Sequence, residues 1–103
     1  MFGNWGKFIR VDMATGNIKV ESWGEEVAKK WLGSRGLGIY LMLKEVDPKT
    51  DPLSPQNKLI IAAGPLTGTS APTAARYNVI TKSPLTGYIT FSNSGGYWGA
   101  ELK

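Results

Sequence analysis

Residues 75–96, ARYNVITKSPLTGYITFSNSGG, carry the pattern that decides the fold. Two runs rich in β-branched and aromatic residues, 75–82 and 88–92, flank the turn-forming segment 83–87. This arrangement predicts two antiparallel strands joined by a short connection. A glycine pair then leads into the apolar segment 97–103, which predicts a helix of about two turns. The expected order over this stretch is therefore strand, turn, strand and helix.

The first half of the chain predicts a hairpin followed by two helices. Residues 7–13 and 18–20 alternate between apolar and polar side chains around a short Gly-Asn loop, which is typical of a β-hairpin. A helix is predicted over 25–32, with Gly33 as its C-terminal cap. A second helix is predicted over 36–46, and its apolar residues lie nearly all round, which predicts burial on several sides.

Residues 59–63 are continuously apolar, and with Lys58 they predict a strand over 58–63 that is covered on both faces. With the other segments, the predicted order is ββααβββα, which is an α+β fold. The last predicted helix is apolar and carries Trp98 near the final residue. We therefore expect residues 1–103 to be the first portion of a larger, truncated domain.

Composition excludes several kinds of site. The 103 residues contain no cysteine and no histidine, so disulfides, Cys-ligated clusters and histidine bases are excluded for this chain, and no residue is predicted to be catalytic or to ligate a metal. The longest aliphatic run, 59–63, is far shorter than the roughly 20 residues that span a bilayer. We expect a cytoplasmic protein with no membrane partner.

Charge is unevenly distributed along the chain. The net charge is +4, and residues 58–103 hold four basic residues against Glu101 alone. An anionic ligand would meet little repulsion in this second half. A basic balance also raises the possibility of nucleic-acid binding. Because the basic residues form no run and the aromatic residues are not interleaved with them, no nucleic-acid partner is expected.

The segment Asn93-Ser94-Gly95-Gly96 is the first candidate binding site. It lies between a predicted strand and a predicted helix. Glycines allow a ligand to approach the backbone, and free N–H groups at a helix start favour an anion. The two polar side chains add hydrogen-bonding groups. The structural alternative is a helix N-cap followed by a tight turn.

Arg76 is the second candidate. Its neighbours Ala74 and Ala75 are small, which suits a bidentate grip of the guanidinium on phosphate. The alternative is an arginine on a solvent-facing strand edge. Arg35, between the two predicted helices, is either a third anion contact or a solvated side chain.

Several short motifs, in their order and spacing, closely resemble the start of archaeal aldehyde ferredoxin oxidoreductases, and the resemblance covers all 103 residues. These motifs are WLGSRGL at 31–37, GPLTG at 64–68, RYNV at 76–79, KSPLTG at 82–87 and NSGG at 93–96. The enzymes of this family run to several hundred residues. The resemblance thus implies an amino-terminal portion of such an enzyme.

The resemblance implies an enzyme that oxidises aldehydes with water to carboxylic acids, passing electrons through a 4Fe-4S cluster to ferredoxin. Tungsten or molybdenum is held by paired pterins, whose phosphates are bridged by magnesium. Arg76 is implied to contact the pterin and to lie between it and the cluster. Asn93 and Gly95, with Ser94 and Gly96, are implied to line the pterin site.

The family's cluster ligands and active-site acid and histidine residues lie in later domains, so the isolated chain is expected not to be catalytic. This chain also departs from the family at Ala74-Ala75, where two glycines are common. The remaining alternative is a stand-alone binding or interaction domain without catalysis. Homo-oligomerisation is open in either case.

Overall fold

The computed structural model describes residues 3–103, and its elements follow the order ββααβββα. The strands are β1 (Lys7–Val11), β2 (Ile18–Ser22), β3 (Ile60–Ala63), β4 (Tyr77–Lys82) and β5 (Ile89–Ser94). The helices are α1 (Glu25–Trp31), α2 (Ser34–Glu45) and α3 (Trp98–Leu102). The predicted α+β class is therefore confirmed. None of these helices is long and apolar enough to cross a lipid bilayer.

The strands form two separate antiparallel sheets. β1 and β2 pair as a hairpin, with Ile9 opposite Val20. β3, β4 and β5 form a three-stranded sheet in sequential order, with β4 in the centre. In this sheet Asn78 lies opposite Asn93, which brings the start of β4 beside the end of β5.

The core lies between α2 and the three-stranded sheet. Met42 of α2 and Ile80 of β4 are 1% and 0% exposed and pack with Ala62 of β3. Gly38 allows the close approach of the helix, since a Cβ atom at this position would lie 2.5 Å from Ile80 Cδ1. The alternation of β4 thus turns Ile80 into the layer that α2 covers.

The apolar face of the hairpin is exposed. Its residues Ile9, Val11, Ile18 and Val20 are 51–67% exposed. The opposite face carries Arg10, whose guanidinium forms a bidentate hydrogen bond with a glutamate of β2 at 3.2 and 3.0 Å and an ion pair with Glu45 of α2 at 2.7 Å. A polar cluster therefore joins the hairpin to α2.

The burial prediction for β3 is wrong. β3 was expected to be covered on both faces, but Ile61 is 41% exposed. On its face of the sheet the Trp98 ring of α3 packs against Tyr77 and leaves Ile61 partly open. Leu59, just before the strand, is also exposed. The helix α2 was predicted to be buried on several sides, and Leu37, Leu41 and Met42 are buried, whereas Leu43 is exposed.

The junction of α1 and α2 also differs from the prediction. α1 ends at Trp31 rather than at residue 32, and its C-cap is Leu32, with φ of 64°, in place of Gly33. The Gly33 N–H donates to the Trp31 carbonyl at 2.8 Å, which closes a γ-turn. α2 then begins at Ser34, two residues before the predicted start, because the Leu37 N–H donates to the Gly33 carbonyl at 3.3 Å and closes the first turn there.

Lys82 fastens the proline-rich segment 47–57 to the sheet. Its side chain is buried, and its Nζ donates to the backbone carbonyls of Pro48 and Thr50, each at 2.6 Å. Asn57 adds a hydrogen bond from Nδ2 to the Pro52 carbonyl at 2.9 Å. None of the ion pairs among residues 3–103 involves Lys82, so carbonyl dipoles compensate its charge.

Candidate functional site

Three of the predicted site residues meet at the end of the three-stranded sheet where β4 begins and β5 ends. Arg76 lies one residue before β4, and its Nη1 donates to Asn93 Oδ1 at 3.1 Å. Gly95 follows β5, and a Cβ atom added there would lie 3.5 Å from Arg76 Nε. The guanidinium therefore lies between the Asn93 amide and the backbone of Gly95.

The other two predicted residues lie apart from this contact. Ser94 is the last residue of β5 and is paired with Tyr77, so its side chain projects from the face opposite to that of Asn93. Gly96 has φ of +90°, and no atom lies within 4 Å of the place where its Cβ would be. This backbone is open to an approaching ligand.

The strand and helix bounds in this region are corrected by the structure. β5 continues through Asn93 and Ser94, although the strand was predicted to end at Ser92. The N-cap of α3 is Tyr97, and it makes no side-chain capping hydrogen bond. The N-cap alternative for Asn93 or Ser94 is therefore wrong, because strand pairing with β4 occupies both residues.

The backbone of Arg76 is fixed while its side chain is exposed. Thr67 is buried, and its Oγ1 donates to the Arg76 carbonyl at 2.8 Å and accepts the Gly64 N–H at 3.1 Å. None of the ion pairs within residues 3–103 includes Arg76. Its guanidinium thus keeps N–H donors for an anionic ligand.

A pair of polar residues, the buried Asn78 and the half-buried Ser34, supports the Asn93 amide and was missed by the sequence analysis. Asn93 Nδ2 donates to Asn78 Oδ1 at 3.3 Å, and Asn78 Nδ2 donates to Ser34 Oγ at 2.7 Å. Asn78 is only 8% exposed. One signal was available in the sequence, since Asn78 shares a strand face with Arg76 and with the buried Ile80, and buried polar groups require partners.

Arg35 is placed in an aromatic contact. Its guanidinium carbon lies 4.4 Å from the centre of the Phe91 ring. Together with Gly33, Asn78 and Asn93, these two residues line an open depression between the first turn of α2 and β5. The cation–π contact gives Arg35 a packing role that neither of the two sequence alternatives included.

The chemistry of this arrangement is that of binding rather than proton transfer. Within residues 3–103, no cluster of three or more histidine, cysteine, aspartate or glutamate residues is arranged to hold a metal ion. The site instead offers a guanidinium, an amide and two glycine backbones. Such groups suit an anionic or carbonyl-rich organic ligand.

Comparisons with known proteins agree with this description. Over all 103 residues the chain is 78% identical to the tungsten-containing aldehyde ferredoxin oxidoreductase of Pyrococcus furiosus and 74% identical to that of Thermococcus kodakarensis. It is also 36% identical, over 106 aligned positions, to the WOR-like subunit of the aliphatic sulfonate oxidoreductase of Pyrococcus furiosus. The chain spans 17% of the length of each of these relatives.

A solved structure has the same fold. The active site complex BamBC of benzoyl coenzyme A reductase, in complex with 1,5-dienoyl-CoA, matches with a TM-score of 0.95 and 36% sequence identity. The match covers 98% of this chain and 16% of that one. Residues 8–103 also match the family model described as aldehyde ferredoxin oxidoreductase, N-terminal domain. The chain therefore belongs to the aldehyde ferredoxin oxidoreductase family and corresponds to its N-terminal domain.

Proposed function

We propose that this chain is the pterin-binding N-terminal portion of a cytoplasmic oxidoreductase that converts aldehydes to carboxylic acids, with ferredoxin as the electron acceptor. The observation that carries the proposal is the contact of Arg76 with Asn93 and Gly95, which leaves an exposed guanidinium beside an open glycine backbone. The relatives named as tungsten-containing support tungsten as the metal. The remaining domains of the enzyme are the chain's partners.

The residues of this site fit the proposed cofactor, a tungsten (or molybdenum) bis-pterin with magnesium. Arg76 would donate hydrogen bonds to phosphate or pterin oxygens, because a guanidinium only donates and one of its N–H groups is already directed by Asn93. A Cβ atom at position 95 would lie 3.5 Å from Arg76 Nε, which is ordinary van der Waals contact, so the backbone of Gly95 passes directly beside the guanidinium. Ser94 would contribute through its backbone.

When bound, the metal centre supplies the redox chemistry, and a 4Fe-4S cluster held by other parts of the enzyme carries the electrons onward. The residues of this chain bind and orient the cofactor. The positive charge of Arg76 stabilises the anionic groups of the cofactor, and no proton transfer is assigned to any residue described here. This division of roles places catalysis in the parts of the enzyme beyond this domain.

The proposal is tested by tungsten retention in a full-length enzyme, made by joining these 103 residues to the remainder of the Pyrococcus furiosus relative. Arg76→Ala is expected to lower the affinity for the metal-bound cofactor by about 10-fold or more, as loss of a supporting hydrogen bond commonly does at metal sites. Tungsten per polypeptide is measured by mass spectrometry after dialysis against a chelator.

Lys19→Ala is the control, because it removes one positive charge from an exposed position of the hairpin. It is expected to retain tungsten as the parent does. Equal retention by Arg76→Ala and the parent would refute the assignment of Arg76 to the cofactor.

A further inference from the structure

We propose that Asn78 and Ser34 are positioning residues, which fix the direction of the Asn93 side-chain amide and thereby the place of the Arg76 guanidinium. The inference rests on the proposed function, in which Arg76 and Asn93 hold the pterin cofactor. Asn78 and Ser34 themselves would act only through these two side chains.

Four hydrogen bonds in series connect the site to the interior of the fold. Arg76 Nη1 donates to Asn93 Oδ1 at 3.1 Å, and Asn93 Nδ2 donates to Asn78 Oδ1 at 3.3 Å. Asn78 Nδ2 donates to Ser34 Oγ at 2.7 Å, and Ser34 Oγ donates to the Ala62 carbonyl at 3.2 Å. We refer to these five residues as the hydrogen-bond series.

The chemistry of its two ends gives the hydrogen-bond series a single direction. A backbone carbonyl only accepts, so the one hydroxyl hydrogen of Ser34 is used by Ala62. Ser34 Oγ must then accept, which requires the amide nitrogen of Asn78 to face it. At the other end a guanidinium only donates, which requires the amide oxygen of Asn93 to face Arg76.

Rotation of the Asn93 or the Asn78 side-chain amide by 180° would break the pairing of donors with acceptors along the hydrogen-bond series. If the Asn93 amide were turned, its nitrogen would face the Arg76 guanidinium, and two donors would meet. Its oxygen would face Asn78 Oδ1, and two acceptors would meet. The same conflict arises for a turned Asn78 between Ser34 and Asn93. Because Asn78 is buried, solvent cannot relieve such a conflict.

The backbone around Ser34 is held in an uncommon conformation that serves this contact. Ser34 has φ of 46°, and Leu32, two residues before it, has φ of 64°. Positive φ values are unfavourable for residues other than glycine and persist where surrounding contacts hold them, often at ligand sites. Here the conformation accompanies the placement of Ser34 Oγ between β3 and β4, where it meets both Ala62 and Asn78.

Removal of the acceptor at position 78 should therefore weaken cofactor retention without removing any group that touches the cofactor. Asn78→Leu preserves the approximate size of the side chain and deletes both polar ends. In this variant nothing at position 78 accepts from the Asn93 amide nitrogen, so Asn93 loses its attachment to the interior of the fold and can move together with the guanidinium that it holds. Asn78→Asp keeps an oxygen that accepts from Asn93 Nδ2, and its second oxygen can take the Ser34 hydroxyl hydrogen in place of the Ala62 carbonyl, so the orientation of Asn93 should be preserved.

The experiment measures the rate at which tungsten is lost to a chelator from the full-length joined enzyme described above. Asn78→Leu is expected to release tungsten about 10-fold faster than the parent, in the range usual for supporting residues of metal sites. Asn78→Asp is expected to restore most of the slow release. In an Asn93→Ala background, Asn78→Leu is expected to add no further acceleration, because its effect passes through Asn93.

Ile80→Val is the matched control. Ile80 lies two residues after Asn78 on the same face of β4 and is also buried, but it is not part of the hydrogen-bond series. It is expected to release tungsten at the parent rate. If Asn78→Leu does not fold, Ser34→Ala is measured instead, and the same acceleration is expected because Asn78 loses the acceptor that sets its direction.

Three results would overturn the positioning role: parent-like release by both Asn78→Leu and Ser34→Ala, equal acceleration by Ile80→Val, or an undiminished effect of Asn78→Leu in the Asn93→Ala background. Unchanged release in Arg76→Ala and Asn93→Ala would instead refute the proposed function. Acceleration in those two variants with none in Asn78→Leu would refute only the positioning role.

Discussion

Replacement of Gly38 by alanine tests how tightly α2 is packed on the sheet. The added Cβ would lie 2.5 Å from Ile80 Cδ1, 2.8 Å from Cγ1 and 3.2 Å from Cβ. Carbon atoms in favourable contact are about 3.5–4.0 Å apart. Because three atoms of Ile80 are too close, rotation of its terminal methyl group cannot relieve the overlap, and the helix must move away from β4.

Two opposing free energies decide the outcome. Alanine is favoured over glycine in a helix interior by about 1 kcal/mol. Overpacking of a core costs about 1–3 kcal/mol, and the upper half of this range applies since Ile80 is fully buried beside Met42. Gly38→Ala should therefore lower the free energy of unfolding by about 1–2 kcal/mol.

The assay is thermal unfolding of the 103-residue chain at low concentration, followed by circular dichroism. A loss of 1 kcal/mol lowers the Tm of a domain of this size by about 4–8 °C. The expected decrease for Gly38→Ala is thus about 4–16 °C. Leu43→Ala is the control, because this residue of the same helix is 65% exposed, and a surface change should stay within about 0.5 kcal/mol.

A second substitution separates overlap from other causes. Ile80→Val removes the atom nearest to the added Cβ, so the double variant should lose less stability than the sum of the two single variants. The reasoning is refuted if Gly38→Ala unfolds at or above the Tm of the parent. Strict additivity with Ile80→Val would also refute it.

Two further predictions concern the hairpin. The hydrogen bond from Arg10 holds the pKa of the Glu21 carboxyl below its ordinary value of 4.5. The contribution of this carboxylate to stability is therefore present above that pH and is lost as the pH falls through the lowered pKa. The Tm difference between the parent and Glu21→Gln should shrink on acidification from pH 7 to pH 3, and a constant difference would contradict this. Val20 is 67% exposed and lies opposite Ile9 on the apolar face of the hairpin. An exposed apolar face favours self-association, so Val20→Lys should reduce concentration-dependent association in sedimentation experiments. A parent chain that stays monomeric at high concentration would contradict this prediction.

The order of elements could be predicted because alternation and turn residues are local properties of the sequence. The ends of elements were less accessible. The strand predicted over 7–13 ends at Val11, since the Asp12 side chain accepts the Ala14 N–H at 3.0 Å and Gly16 donates to the Asp12 carbonyl at 2.7 Å. These contacts begin the turn inside a run that still alternates in hydrophobicity.

Burial could be predicted only in part, because the sequence shows which residues are apolar and not what covers them. Ile61 and the apolar face of the hairpin read as core residues but are exposed within residues 3–103. The relatives are about six times longer than this chain, as its 17% share of their length indicates. The sequence of these 103 residues therefore cannot show which of its apolar residues pack against other parts of a longer protein.

The candidate site shows a similar division. Arg76 and Asn93 could be selected from local chemistry, since one follows two small residues and the other precedes two glycines. Ser34 could not, because its contact with Asn78 joins residues 44 positions apart. Such a pairing depends on how α2 crosses the sheet, which no local pattern specifies.

The ammonium group of Lys82 acts as a monovalent cation that is covalently tethered to the sheet. It occupies a position defined by two backbone carbonyl oxygens, those of Pro48 and Thr50, without a carboxylate at either. Oxygen dipoles of this kind are the ligands that potassium and ammonium ions accept in solution. A shorter, neutral side chain at position 82 would leave these oxygens facing an ammonium-sized space. The two carbonyls would then lack a donor from the sheet, and the proline-rich segment would lose this attachment to β4.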